Sequence, residues 1–228
     1  TYSIPASPLD PNSTVTNLTT GETLELGSDY TVDDNGGETL TIILTAGLIG
    51  DEIRVEYLEE EPVDFTIEGG TLSLGETINR AGQTLTLDAG GTINVNGAIV
   101  GDAAGLEDSL ALLGGGTVNL NASNTFVGPT LITEGTTVNT NAAEAFPQLN
   151  GRSSLTLEQG STLNLSGLDQ AIASLAGDSE SAIALDGSIL TVGLGADASP
   201  GTNFEGVISG TGTLVKDGTT TQILSGPN

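Results

Sequence analysis

Short runs of alternating apolar and polar residues, separated by glycine turns, recur from residue 63 to residue 228 of this chain. Residues 155–157, for example, pass through Gly160 into residues 162–165. Strands this short cannot each bury a face alone, but parallel coils stacked about 4.8 Å apart pair the backbone groups and build one continuous core. The pattern therefore predicts a right-handed parallel β-helix, or solenoid, over residues 63–228.

Residues 1–62 carry a different pattern, in which short alternating runs are separated by acidic turns and by proline. A strong turn signal, Asp-Asp-Asn-Gly-Gly at residues 33–37, stands between two such runs, because Asn and Gly accept positive φ. The runs predict a small antiparallel β-sandwich, and residues 29–57 resemble the Ig-like modules of surface adhesins and phage structural proteins. We place the domain boundary at Pro62, directly after three glutamates.

One segment departs from the strand pattern. Residues 103–113 have apolar residues at helical spacing and end at three consecutive glycines. A helical period followed by glycine is a helix-ending signal, so this segment predicts a short helix beside a coil.

Asparagine and threonine recur within the alternating runs. Asn119, Asn139 and Asn164 each occupy the third position of a run, and we expect them to stack or to cap turns. Thr-x-Thr pairs do not recur in every predicted coil, so a flat threonine array of the ice-binding kind is not indicated.

The charge and composition of the chain exclude several classes of function. The net charge is −26, from 30 acidic and four basic residues, so the chain lacks the positive charge that binding to the phosphates of nucleic acids or anionic lipids requires. The chain has no Cys and no His, which removes disulfides, thiolate metal sites and the usual general bases. No apolar run reaches the roughly 18 residues of a membrane span, so we expect no direct membrane insertion by this segment.

The last repeat carries a longer motif, Phe204-Glu-Gly-Val-Ile-Ser-Gly-Thr-Gly-Thr-Leu-Val-Lys-Asp-Gly, followed by Gln222-Ile-Leu-Ser-Gly-Pro-Asn. The run Asn-Thr-Phe-Val-Gly at residues 124–128 and residues 155–177 have related spacing. Together they resemble the passenger-associated repeat of bacterial autotransporter adhesins, over roughly residues 115–228. The resemblance implies a β-helical passenger stalk that is extracellular, at the bacterial cell surface.

The two ends of the chain complete this motif when they are written head to tail. The family pattern continues from Asn into Thr-Tyr, and the chain stops at Asn228 and begins with Thr1 and Tyr2. We therefore predict one period of a tandem array whose partners are neighbouring copies of the same repeat, either covalently linked or polymerised head to tail. The predicted inter-unit interface consists of Thr1, Tyr2, Ser3, Val207, Ile208, Leu214, Ile223, Leu224, Pro227 and Asn228.

The predicted function is that of a structural repeat unit in a long extracellular filament or surface adhesin, without a catalytic site. One alternative is an adhesin module that binds a surface glycan or another host target through the loops near residues 33–37. A second alternative is a polysaccharide-acting β-helix enzyme, but Arg80 and Arg152 have no acidic cluster beside them in sequence.

No cofactor is expected apart from calcium at one acidic turn. Carboxylate and amide oxygens on a flexible loop are ligands that Ca²⁺ accepts, although their spacing here matches no standard calcium loop. A solvated acidic turn is the competing interpretation. The candidate ligands are Asp29, Asp33, Asp34, Asn35 and Glu38.

Overall fold

The computed structural model describes residues 14–17, 20, 30–33, 40–44, 52–56, 63–75, 77–79, 84–101, 109–147, 153–193 and 201–227. Within these ranges the chain is all-β and forms a parallel β-solenoid of about six turns, without a helix. The predicted solenoid is therefore confirmed, whereas its handedness stays a prediction.

The described ranges contain 24 strands, numbered in chain order. The first eight are β1 (Thr14–Asn17), β2 (Tyr30–Asp33), β3 (Leu40–Leu44), β4 (Glu52–Glu56), β5 (Val63–Ile67), β6 (Thr71–Leu74), β7 (Ile78–Asn79) and β8 (Leu85–Ala89). The next eight are β9 (Thr92–Val95), β10 (Ile99–Val100), β11 (Leu110–Leu113), β12 (Thr117–Leu120), β13 (Thr130–Ile132), β14 (Thr137–Thr140), β15 (Ser154–Leu157) and β16 (Thr162–Asn164). The last eight are β17 (Gln170–Ile172), β18 (Ser174–Gly177), β19 (Ala182–Ala184), β20 (Ile189–Val192), β21 (Thr202–Phe204), β22 (Val207–Ser209), β23 (Thr213–Lys216) and β24 (Gln222–Leu224).

These strands form two long sheets and a broken third face. The first sheet has the order β1-β4-β6-β9-β12-β14-β16-β19-β22, and the second has the order β2-β3-β5-β8-β11-β13-β15-β18-β21-β24. The third face consists of the pair β7-β10 and the separate three-stranded sheet β17-β20-β23. A complete coil thus runs from the second sheet to the first sheet and on to the third face.

The core fills the narrow space between the sheets. Alternate side chains point inward in strands such as β8, and residues in register on successive coils stack in columns. Leu85, Leu110 and Leu155 belong to one such column and are almost completely buried. The buried aromatic residues are Phe65, Phe126, Phe146 and Phe204. Burial of these apolar surfaces, at about 25 cal/mol per Å², is the main force that holds short strands together.

Tight turns at the corner between the second and first sheets explain the glycine spacing. Glu134 and Gly135 both have positive φ, at 57° and 73°, and the Thr136 N–H closes the turn on the Thr133 carbonyl at 3.1 Å. Two consecutive residues with positive φ define a primed turn, which favours glycine at the second position.

The described strands of the first 62 residues pair with the solenoid. β3 runs parallel to β5 in the second sheet, and β4 runs parallel to β6 in the first sheet. β1 with β4 and β2 with β3 form antiparallel pairs. The predicted Ig-like sandwich is not shown by this arrangement, and the division of the chain at residue 62 stays a prediction.

The predicted helix over residues 103–113 is wrong for its last four residues. Leu110–Leu113 is the strand β11, which lies between β8 and β13 in the second sheet. Leu110 and Leu112 point inward and stack on Leu85 and Leu87, so a period of two decides the conformation. A short apolar run fits a strand or a helix equally well until its neighbours are known.

Candidate functional site

Four asparagines form a hydrogen-bonded ladder on the outer side of the first sheet. Their side-chain amides connect successive coils, with Nδ2 to Oδ1 distances of 2.7 Å from Asn119 to Asn94, 2.7 Å from Asn139 to Asn119 and 2.8 Å from Asn164 to Asn139. All four are half-buried and stand in register in β9, β12, β14 and β16. The prediction that Asn119, Asn139 and Asn164 stack is thereby confirmed.

Two further polar columns flank this ladder. The first column lies two residues after the ladder asparagines in the sequence. In it, Asn121 donates to Asn96 at 2.7 Å, and Asn141 donates to Asn121 at 2.8 Å. On the other side, one threonine begins each of the four strands in register. We call these three columns the ladder face, which comprises Thr92, Thr117, Thr137, Thr162, Asn94, Asn119, Asn139, Asn164, Asn96, Asn121 and Asn141.

The ladder face is uncharged although the chain as a whole is strongly acidic. Residues 92–96, 117–121, 137–141 and 162–166 contain no charged residue. Acids instead follow three successive strands of the second sheet, at Glu158, Asp178 and Glu205. The solenoid thus separates a neutral, amide-rich face from an acidic corner.

Two buried amides bridge the gap in the third face between β10 and β17. The Asn124 Oδ1 accepts from the Ile99 N–H at 2.8 Å, and its Nδ2 donates to the Ala145 carbonyl at 2.7 Å. The Gln170 Oε1 accepts from the Phe146 N–H at 3.3 Å. These side chains therefore satisfy backbone groups that a continuous sheet would have paired.

The Asn-Thr-Phe motif gains a structural role from this geometry. Asn124 is 2% exposed, and the Thr125 N–H donates to the Ile99 carbonyl at 3.0 Å. Phe126 is buried in the core beside them. The three residues together join one coil to the coils on both sides of it.

The last coil is much less buried than the coils before it. Ile223 is 43% exposed, Leu224 is 39% exposed and Val215 is 37% exposed. Large apolar side chains are commonly buried, so these three leave an uncovered apolar surface at one end of the solenoid.

The side chain of Gln222 in β24 spans the neighbouring strand β21 and reaches β18. The Gln222 Oε1 accepts from the Leu175 N–H at 3.1 Å, and its Nε2 donates to the Leu175 carbonyl at 2.7 Å. The only backbone register pair between β18 and the intervening β21 is Gly177 with Phe204. The amide of Gln222 thus takes the place of a missing backbone partner.

The comparison with known proteins agrees with this architecture. The chain is 35% identical over 164 residues, or 71% of its length, to the Adhesin BmaC autotransporter of Brucella suis biovar 1 (strain 1330). The chain is homologous to a segment of an autotransporter adhesin. It spans 4% of that relative's own length, and no family model and no solved structure matches it. The predicted resemblance of this chain to autotransporter passengers is thereby confirmed.

The predicted interface residues of the autotransporter-like chain fall at the last coils. Val207, Ile208 and Leu214 are half-buried, and Pro227 is exposed, as are the two apolar residues of β24. The remaining predicted members lie outside the described residues; they are Thr1, Tyr2, Ser3 and Asn228. Their role as an interface between units therefore stays a prediction.

The predicted calcium site cannot be placed on the solenoid. Asp33 ends β2, and Asp29, Asp34, Asn35 and Glu38 lie outside the described residues. Elsewhere in the described ranges, no three acidic side chains are grouped so that they could hold a metal ion. Arg80 and Arg152 also lie outside these ranges, and no described helix is long and apolar enough to cross a membrane.

Three aspartates on the second-sheet side have displaced pKa values. Burial raises the pKa of Asp64, and burial together with the Glu134 carboxylate raises the pKa of Asp88. Partial burial alone would raise the pKa of Asp178, but hydrogen bonds from the Gln159 N–H and the Ser181 hydroxyl outweigh it and lower the pKa.

Sequence reasoning missed the second asparagine column and both buried amides. The column Asn96, Asn121 and Asn141 has a detectable signal, because each residue follows a Thr-x-Asn run by two positions. Asn124 and Gln170 lie in the segments that resemble the autotransporter repeat, but the spacing of these segments gives no signal for bonds to the backbone of another coil. Their role becomes visible only from their backbone partners.

Proposed function

We propose that this chain is a structural segment of a bacterial autotransporter passenger that is displayed extracellularly at the cell surface. The homologous segment of an adhesin autotransporter supports this proposal, as does the solenoid architecture. The observation that carries it is the continuity of the first and second sheets, which run in sequence order from β5 and β6 to β21 and β22. A stack of this kind extends in one direction and can act as a stalk.

We further propose that neighbouring copies stack head to tail on the last coil. Ile223 and Leu224 expose apolar surface at that end, and the outer β24 is paired with β21 on one side only in the described part of the chain. An incoming strand would pair the free backbone edge and cover these side chains. Open sheet edges that carry apolar residues are otherwise prone to uncontrolled pairing.

Hydrogen exchange of a protein with two linked copies tests the stacking. The amides of residues 222–226 in the first copy should exchange more slowly than the same amides in a single copy, because a following coil would cover them. Exchange at residues 137–140, deep in the stack, should be equal in the two proteins. Equal exchange at residues 222–226 as well would reject head-to-tail stacking.

A matched pair of substitutions sharpens this experiment. Leu224→Asp should abolish the added protection, because Leu224 is in register with the buried Phe204 and a following coil would bury the charge. Ile189→Asp should leave it unchanged, since Ile189 is similarly exposed, at 40%, but lies in β20, away from the last strand.

A second candidate function is the binding of a glycan or another surface target. The uncharged ladder face favours it, because this face offers a neutral, hydrogen-bonding surface on an otherwise acidic protein. A non-enzymatic role is part of both proposals.

A further inference from the structure

We propose that the ladder face binds a neutral polysaccharide chain laid across its four rungs. The proposal deepens the second candidate function and rests on the proposed surface location. It places recognition on the first sheet rather than on the loops near residues 33–37.

The ladder amides keep hydrogen-bonding capacity for a ligand. A side-chain amide has two N–H donors and an oxygen with two lone pairs. The ladder uses one donor and one lone pair of Asn119 and of Asn139, and likewise of Asn121 in the flanking column. One donor and one acceptor lone pair per interior rung are thus not used by the ladder, and sugar hydroxyls require this mixture of donor and acceptor.

The ladder also fixes these groups before a ligand arrives. An amide that is hydrogen-bonded to its neighbours above and below has lost most of its rotamer freedom already. Binding to such an array therefore costs less side-chain entropy than binding to free surface asparagines. The half-buried state of Asn94, Asn119, Asn139 and Asn164 agrees with fixed side chains.

Charge decides which polymer fits. The protein carries a net charge of −26, which repels sulfated, uronic-acid and nucleic-acid chains at every face. Cationic partners would favour the acidic corner at Glu158, Asp178 and Glu205 over the ladder face. A hydroxyl-rich chain without charge is the polymer for which the neutral amides are the best site.

The size of the face favours a glycan over a second copy of the protein. Three intervals of about 4.8 Å between the four rungs and four intervals of about 3.3 Å between the five residues of a rung give a patch on the order of 200 Å². A stable protein complex buries about 800 Å² on each partner. The patch is closed at its upper end by Ala182 and Ala184 of β19, which stand over Thr162 and Asn164. Its dimensions suit a few consecutive sugar rings.

The test is a titration of the full chain with linear neutral hexasaccharides built from β-1,4-linked glucose, β-1,3-linked glucose and α-linked mannose. The side-chain amide signals of the ladder asparagines are followed by NMR spectroscopy, and affinities are measured by calorimetry. An oligogalacturonate of the same length is the anionic control. Sedimentation of the free protein over the same concentrations detects self-association.

A double variant in the flanking column Asn96, Asn121 and Asn141 tests the site without changing a core residue. Asn121→Ala combined with Asn141→Ala should weaken binding by about tenfold, because each lost hydrogen bond is worth a factor of a few. The matched control combines Ser154→Ala with Thr156→Ala on the outer side of β15, where both residues are half-buried, and should bind like the unchanged protein.

Saturable shifts of the ladder amides with one of the neutral hexasaccharides, and an affinity about tenfold weaker in the Asn121→Ala/Asn141→Ala variant alone, are the expected results. The proposal is overturned if no neutral saccharide shifts these signals, if oligogalacturonate binds equally well, or if both double variants bind alike. Concentration-dependent shifts of the free protein would overturn it in favour of a second copy. None of these outcomes affects the hydrogen-exchange test of stacking, so the two proposals fail separately.

Discussion

Replacement of Asn124 should destabilise this protein more than replacement of any ladder asparagine. Asn124→Ala removes the acceptor of the buried Ile99 N–H and the donor to the Ala145 carbonyl. Each buried backbone group left without a partner costs about 1–3 kcal/mol, so the two together should cost about 4 kcal/mol. That loss is a large fraction of the stability of an ordinary domain.

Asn119→Ala is the matched comparison. It also removes two amide hydrogen bonds, but both lead to the side chains of Asn94 and Asn139, which are half-buried and can turn to water. The expected cost is about 1 kcal/mol. Asn124→Asp adds a third case, since it keeps the acceptor for Ile99, loses the donor to Ala145 and buries a charge.

Urea unfolding followed by circular dichroism gives the free energies, provided that the slope with denaturant is compared between variants. Hydrogen exchange at Ile99 then tests the mechanism locally, because its amide should lose protection in Asn124→Ala and keep it in Asn119→Ala. An equal cost for the two alanine variants, or unchanged protection at Ile99, would refute the reasoning that burial of the partners sets the magnitude.

Three further predictions concern single side chains. Gln222→Ala should speed hydrogen exchange at Leu175 with little change in the urea midpoint, because only the last coils lose a partner; unchanged exchange would contradict this. Asp64→Asn should raise stability at about pH 7 but not at about pH 3: burial raises the Asp64 pKa, so its ionised form lowers stability above that pKa and the penalty disappears as pH falls. Urea unfolding at both values checks it, and equal gains would contradict it. Ala184→Asn should raise the urea midpoint by adding a rung above Asn164, worth about 0.5 kcal/mol, whereas the control Ala182→Asn should not; equal midpoints would argue against a stabilising ladder.

The solenoid and part of the ladder could be predicted because both depend on local alternation. Short runs such as β12 and β14 show their inward and outward residues directly in the sequence. The full ladder was harder to predict because its rungs are not equally spaced along the chain: Asn94 and Asn119 are separated by 25 residues, and Asn119 and Asn139 by 20. Coils of unequal length still align, since register is set by core stacking and not by sequence period.

Two features could not be predicted from the local pattern. They are the pairing partners of β1–β4 and the sheet in which a given run of alternating residues lies. β3 pairs with β5, a choice that depends on which edge is free when the coils assemble. The sequence Leu-x-x-x-Asn follows β12 in the first sheet, but the same letters follow β24 in the second sheet. Alternation defines a strand without defining the sheet to which it belongs.

Two buried side-chain amides, Asn124 and Gln170, lie where the strand pairing of the third face is interrupted. Between β10 and β17 the third face has no strand among the described residues, over the two coils that contain β12 and β14. Those coils carry the interior rungs Asn119 and Asn139, and the buried Asn124 and Gln170 cross the same gap. Since side-chain amides offer the same donor and acceptor as a peptide group, they can replace the missing ladder of backbone bonds. Asn124 and Gln170 therefore replace missing backbone partners, whereas the ladder amides connect strands of the first sheet that are already paired in register. The remaining hydrogen-bonding capacity of the ladder amides is what a ligand can use.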